Sequence, residues 1–380
     1  MGADGNAAQE SSAPVHPDEI LIGYFGPDDP AHPHGGDMWR AAQWAVEEAN
    51  RRGGYRGKPF RLICGWSDNP WGTGVVKVTR MAYTDRVWAI IGGIDGPSTH
   101  LAEQVVAKAR LPLLGPASTD RSVNLAHVPW MFSLVPGDHL QAPVLAEAIA
   151  ARTEGKPFLL ISADDHDSHL FTVELRKSLA KRRMVPRFHF EYQRASREIG
   201  ELTARIKGAK ADSAVLIAGA RDSARLVVSL RDRGFENVIF GGPGMGRRAF
   251  RQEAGAAAEG VVFPLLYEPK KESREFAKAF REHFAMSPDY AAAHAYDAVQ
   301  LVIAAIGTAG LDRAGIRDAL GELSPWTGVT GTVNWDRTGG NTRAVHLGTI
   351  RDGRIVRLSE PDRAPAAAPT GATPASPSPP

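Results

Sequence analysis

The sequence predicts an α/β protein of two lobes, each a doubly wound parallel sheet covered by helices on both faces. Three observations carry that prediction. Short apolar runs alternate with amphipathic helical stretches along most of the chain, the rhythm of βαβ units and buried parallel strands. That rhythm breaks around Pro136–Pro143 and then resumes. The length, 380 residues, is too great for one ordinary core and fits two domains.

Ile20–Phe25 reads as the first strand, and Asp37–Arg52 as a helix with Trp39, Ala42 and Val46 on one face. Strand Phe60–Cys64 and helix 75–84 lead to Trp88–Ile91, short enough for a buried parallel strand. Gly92, Gly93, Gly96 and Pro97 end it, and Ser98 or Thr99 suits the cap of helix 99–109. Strand Leu111–Leu114 ends in Gly115, Pro116, Ala117, Ser118 and Thr119. The second series runs strand Phe158–Ser162, helix 168–182, strand Arg187–Tyr192, helix 197–207, strand Ala214–Ala218, helix 222–233 and strand Val238–Phe240. From 272 to 321 the chain reads as mostly helical, with Phe276, Phe280 and Phe284 spaced by four. Gly331–Trp335 and Val345–Arg351 are late strands on either side of a turn at Asp336–Gly340.

These breaks assign 19–137 with 266–330 to lobe 1 and 138–265 with 331–358 to lobe 2, with crossings near 137, 265 and 330. Residues 1–18 and 359–380 are rich in Pro, Ala, Ser and Gly and are expected to be disordered. Hydrophobic content of 43% and charged content of 23% are those of a globular protein. A net charge of +2 gives no reason to expect a nucleic-acid or anionic-membrane partner. No apolar run reaches the length of about 18 residues that a membrane-spanning helix needs. The first residues lack the apolar core of a signal peptide, so the chain is either cytoplasmic or has lost its leader. Cys64 stands alone, which excludes an internal disulfide and a thiolate zinc cluster, and reads as a buried small hydrophobe.

Chemistry concentrates in the loops after the strands. Loops at the carboxyl ends of parallel strands are where open α/β sheets bind ligands. The stretches around Gly96, Ser98 and Thr99 and around Ala117, Ser118 and Thr119 offer free N–H groups and hydroxyls to a carboxylate or other small polar group. Helix capping is the competing role for each of them. Loops 95–99 and 117–120 are expected to face 138–141, 163–168, 219–222 and 242–246. Asp and His recur at loop positions, among them His32, His34, Asp164, Asp165, His166, Asp167 and His169. Ordinary loop polarity is the plain reading; a cation or polyol site is the alternative. Arg221, Arg247 and Arg248 are candidates for meeting a carboxylate, with surface solvation the plainer reading of the last two. No Walker sequence, HExxH or G-x-S-x-G occurs, and GGPGMG at 241–246 lacks dinucleotide-fingerprint spacing, so neither catalysis nor a cofactor is implied.

The order of these segments resembles the periplasmic solute-binding proteins of the leucine/isoleucine/valine-binding family, the type I binding fold of ATP-driven importers. The resemblance spans about residues 19–355. It rests on GDMWRAAQWAVEEANRRGG (36–54), Ser67–Asp68–Asn69–Pro70, LPLLGPASTD (111–120), ADDHDSHLF (163–171) and GVTGTVNWDRTGG (328–340). It implies a hinge, a ligand between the lobes, a membrane permease as partner and an extracytoplasmic location. The matching loops carry over Gly96, Ser98, Ala117 and Thr119 from lobe 1 and Asp138 and Gln141 from lobe 2. Two departures stand out. Asp167 or His166 replaces a second-lobe tyrosine, and Pro243 aligns with the acidic residue that meets an amino acid's ammonium. The implied function is capture and delivery of a small polar molecule, amino-acid-like, amide, carboxylate or polyol. A ligand sensor of the same fold is the alternative.

Overall fold

The protein was analysed as a computed structural model, which describes residues 18–193, 211–268 and 273–359. The ends expected to be disordered, apart from Asp18 and Ser359, and the helix expected at 197–207 lie outside the described residues. Two large sheets form, as the alternating pattern implies. The first contains β1 (Ile20–Phe25), β2 (Phe60–Gly65), β3 (Ile90–Gly92), β4 (Leu113–Gly115) and β5 (Met131–Ser133), all parallel in the order β2-β1-β3-β4-β5. Its crossovers are α1 (Gly36–Arg51), α2 (Val75–Tyr83), α3 (Gly96–Ala109) and the short α4 (Ser122–Leu125). Ile20, Ile22 and Tyr24 pack on one face of this sheet, while Leu21 and Phe25 pack on the other. A strand buried on both faces reads in sequence as an unbroken apolar run.

The chain then enters α5 (Asp138–Thr153), a helix unmarked in the sequence because Pro143 lies inside it. The second sheet comprises β6 (Phe158–Ala163), β7 (Phe188–Tyr192), β8 (Ser213–Ile217), β9 (Ile239–Gly241) and β10 (Val262–Leu265), joined by α6 (His166–Ala180), α7 (Ala220–Asp232) and α8 (Arg248–Ala254). Later, β13 (His346–Arg351) and β14 (Arg354–Arg357) add an antiparallel edge, giving β14-β13-β10-β9-β8-β6-β7.

Between β10 and β13 the chain returns to the first sheet as α9 (Arg274–Phe284), α10 (Tyr290–Ala309) and α11 (Arg313–Glu322). Tyr290–Ala295 of α10 is buried at every position, since the helix lies along α1 against the sheet. The phenylalanines spaced by four do pack: Phe276 stacks on Trp44 of α1 at 5.7 Å, and Phe280 and Phe284 close around the same ring. Among the described residues no single helix is long and apolar enough to cross a membrane.

A small hairpin, β11 (Trp326–Gly328) with β12 (Gly331–Val333), is anchored by Asp297. Its carboxylate accepts hydrogen bonds from Val329 N and Thr330 N at 2.9 Å and from Thr330 Oγ1 at 2.6 Å. Trp335 then packs on Phe132 at 4.7 Å, Ser133 N donates to Gly339 O, and Asn341 Nδ2 donates to Leu134 O. These bonds keep 326–342 beside the first sheet. The chain then joins the second sheet at β13.

Asp297 is fully buried, so losing its three bonds strands three donors. Asp297→Ala is expected to lower the unfolding free energy by about 3 kcal/mol. Urea denaturation measures this, and a loss under about 1 kcal/mol would contradict the anchoring role.

Candidate functional site

The carboxyl ends of the strands of both sheets open onto a shared cleft of about 170 Å³. On the first-lobe side, β3 runs into Ile94 and Asp95, and β4 runs into Ala117 and Thr119. On the second-lobe side, Asp165–Ser168 opens α6, Ile217–Ala220 opens α7, and Gly242–Gly244 follows β9. Phe171 and Ile217 supply apolar wall, and Arg247, Tyr290 and His34 complete the lining. Glycines at 219, 242 and 244 bring bare backbone to the surface of the cleft, so peptide groups are within reach of a ligand.

The helix starts use up part of the predicted polar set. Asp95 caps α3 by accepting from Ser98 N at 2.9 Å, and Ser98 Oγ reaches back to Asp95 N. Thr99 Oγ1 donates to Asp95 O at 2.7 Å. Ser98 and Thr99 are thus buried caps, outside the cleft lining. Asp165 caps α6 in the same way, accepting from Ser168 N at 3.1 Å.

Of the other residues named from sequence, Ala117, Thr119, Asp165, Asp167 and Pro243 line the cleft. Ser118 is buried behind it, accepting from Asp120 N. Asp138 is buried, donates its N–H to Thr119 O at 2.9 Å and does not line the cleft. Burial pushes its carboxyl well above the usual range, against a lowering hydrogen bond from Thr119. Gln141 is wholly buried, with Nε2 donating to Pro136 O at 2.7 Å. Arg221 stands half exposed, 3.9 Å from Glu253, rather than in the cleft. Gly96 touches the opposite lobe instead of lining the space.

Arg247 corrects the sequence reading. It is buried, and its Nε donates to Asp289 at 2.7 Å while Nη2 donates to His34 O at 2.7 Å. Its guanidinium also lies 5.4 Å from the Tyr290 ring centre. Arg248 is no free surface cation either: Nε and Nη2 form a fork on Asp37 at 2.6 and 2.7 Å. The doublet resembled surface because its partners, Asp37 and Asp289, lie 211 and 41 or more residues away in the chain. Tyr290 and Phe171 went unnoticed because an aromatic on a helix face gives the same signal whether it faces core or cleft. The Asp289 cap directly before Tyr290 was the available hint.

Among the described residues, other bonds besides those of Arg247 join the lobes. Arg248 reaches Asp37, His166 Nε2 lies 2.8 Å from Asp120 Oδ2, and Gly96 N donates to the Asp167 carboxylate at 3.0 and 3.2 Å. A Cβ on Gly96 would stand 2.3 Å from Asp167 Oδ1, so the Asp167 side chain would have to shift to admit one. Burial, reinforced by Asp95, raises the Asp167 carboxyl to about 7, despite the Gly96 N–H. Burial would also raise Asp120, but hydrogen bonds from His100, Ser122 and His166 hold it well below the usual carboxylate range.

Two lobes closing on a polar cleft at their strand ends define a binding protein. The chain belongs to the periplasmic binding protein family, which it matches over residues 19–354. Within that family it is similar to the leucine/isoleucine/valine-binding group. A Leu/Ile/Val-binding protein homolog from Brucella abortus is 23% identical over 326 residues, covering 84% of this chain and 87% of the relative. The structure of LivJ, a branched-chain amino acid transporter substrate-binding protein from Streptococcus pneumoniae in complex with isoleucine, aligns with a TM-score of 0.81 at 22% identity, over 89% of this chain and 99% of LivJ. A solute-binding protein from R. palustris in complex with benzoate aligns at 0.80 with 15% identity, over 93% of this chain and 98% of that protein.

The Arg248–Asp37 fork is partly shielded from water and worth about 1 kcal/mol. Arg248→Ala should therefore shift the closed-to-open ratio about fivefold toward open. Small-angle scattering of the unliganded protein should show a larger radius of gyration, and an unchanged radius would count against the fork as a latch.

Proposed function

We propose that this protein is an extracytoplasmic solute-binding protein that captures a small organic anion between its lobes and delivers it to the permease of an ABC-type importer. Family membership and the cleft at the strand ends support capture of a solute. The likeness to LivJ, a transporter substrate-binding protein, supports the importer role, and membership of the periplasmic binding protein family supports the extracytoplasmic location.

One observation carries the choice of ligand class. Pro243 lines the cleft where the family resemblance places an acidic residue, and it has neither charge nor donor. The nearest charged side chain in the same loop is the Arg247 guanidinium, which also lines the cleft. The carboxylates that remain are engaged: Asp95 and Asp165 cap helices, and Asp167 accepts the Gly96 N–H. An ammonium buried there without a dedicated partner would cost several kcal/mol, enough to erase micromolar affinity. A carboxylate has the backbone around Ala117 to meet it, beside the Thr119 hydroxyl and the Arg247 guanidinium, which also bond Asp138 and Asp289. The R. palustris neighbour seen with benzoate is a solute-binding protein whose ligand carries a carboxylate without an ammonium.

The test compares leucine with 4-methyl-2-oxopentanoate, which keeps leucine's side chain and carboxylate but lacks the ammonium, with benzoate as a third probe. A ligand at a hundred times its dissociation constant stabilises by about 2.7 kcal/mol. The oxo acid or benzoate should raise the melting temperature clearly and leucine little. Thr119→Ala should weaken the bound anion by about 0.5–1.5 kcal/mol in calorimetry. A large shift with leucine, or unchanged affinity in Thr119→Ala, would overturn the assignment.

A further inference from the structure

At the rim of the cleft, three side chains from three separate elements converge. His100 lies on α3, Asp120 follows β4, and His166 begins α6 across the gap. Both imidazoles bring Nε2 to Asp120 Oδ2, at 3.0 and 2.8 Å, and His100 Nε2 also lies 2.8 Å from Ser122 Oγ. The other oxygen, Oδ1, is held by Ser122 N and Ser122 Oγ at 2.7 Å each, which fixes how Oδ2 is presented. The ligand atoms of the three residues lie within 4.8 Å of one another.

Metal–nitrogen and metal–oxygen bonds of about 2.1 Å at tetrahedral angles place ligand atoms roughly 3.4 Å apart. The two histidine–carboxylate spacings, 3.0 and 2.8 Å, need only a small widening to admit an ion. A metal-bound histidine usually has a carboxylate behind its second ring nitrogen. His100 has one: Glu103 Oε2 is 3.4 Å from Nδ1, and Glu103 is buried, with Oε1 lacking a hydrogen-bond partner. His166 is 40% exposed at its side chain, so the outer side is open for a water ligand.

We propose that His100, Asp120 and His166 bind one divalent transition metal of the zinc type, which clamps the two lobes across the rim of the cleft. Imidazole and carboxylate donors with an open fourth position suit zinc, whereas calcium or magnesium would require more oxygen ligands. Because the first lobe gives two ligands and the second gives one, the ion binds the closed form better than the open one. It therefore biases closure.

The experiment uses chelator-stripped full-length protein with no organic ligand, titrated with Zn²⁺ by calorimetry and with Co²⁺ by visible absorption. One ion per chain, cobalt bands of a low-coordinate site and a smaller radius of gyration on adding Zn²⁺ are expected. Glu103→Gln should weaken Zn²⁺ about tenfold. His166→Ala, at a partly exposed helix start, should weaken it further and abolish the compaction, while His346→Ala on the far sheet should match wild type. Absence of stoichiometric binding, or equal binding by His166→Ala and wild type, would overturn the site. Neither result depends on which anion the cleft prefers.

Discussion

The buried carboxylate of Asp289 is the constraint on which much of the closed molecule depends. It caps α10 of the first lobe through Ala292 N at 3.0 Å. It also accepts Arg247 Nε at 2.7 Å and Arg248 N at 3.2 Å from the second. One acid thus ends a core helix, neutralises the cation in the cleft wall and fixes the backbone of the residue that reaches Asp37. Burial alone would raise this carboxyl, but the Arg247 charge and these hydrogen bonds hold it below the usual range. Removing one partner of such a pair typically costs 3–5 kcal/mol, because the other charge stays buried and uncompensated. The ion pair that sets Arg247 in the cleft wall is therefore also part of what holds the lobes together.

Much of the architecture was legible in the sequence because each sheet is parallel and buried on both faces, so its strands announce themselves as apolar runs. Ile20–Phe25 matches β1 residue for residue. What escaped were elements whose reason lies far away in the chain. β10 contains Pro264, which suits a strand poorly, and its partners, β9 and β13, come from both directions. The hairpin and Trp335 follow the first lobe because of Asp297 and Phe132, partners no local pattern reveals.

The site was legible in part for the same reason. Loops after strands can be located by rhythm, so Ala117, Thr119, Asp165, Asp167 and Pro243 fell on the cleft. Ser98 and Thr99 did not, since a hydroxyl near a helix start can serve a ligand or its own backbone, and here Asp95 takes both. Arg247 was the converse case: its neighbours in sequence are unremarkable, and only the fold brings Asp289 and Tyr290 to it. Shared fold fixes where a ligand sits more firmly than which ligand it is. Neighbours of nearly equal overall likeness were solved with isoleucine and with benzoate.

Gly96 gives closure a tolerance. Its N–H meets Asp167 from the other lobe at 3.0 Å, and Asp120 and His166 also crowd the place where a Cβ would stand. The missing side chain works like clearance in a hinge: a methyl group here would press on Asp167 and His166, which must give way before the lobes meet. How tightly the molecule shuts is therefore set in part at a position outside the cleft lining.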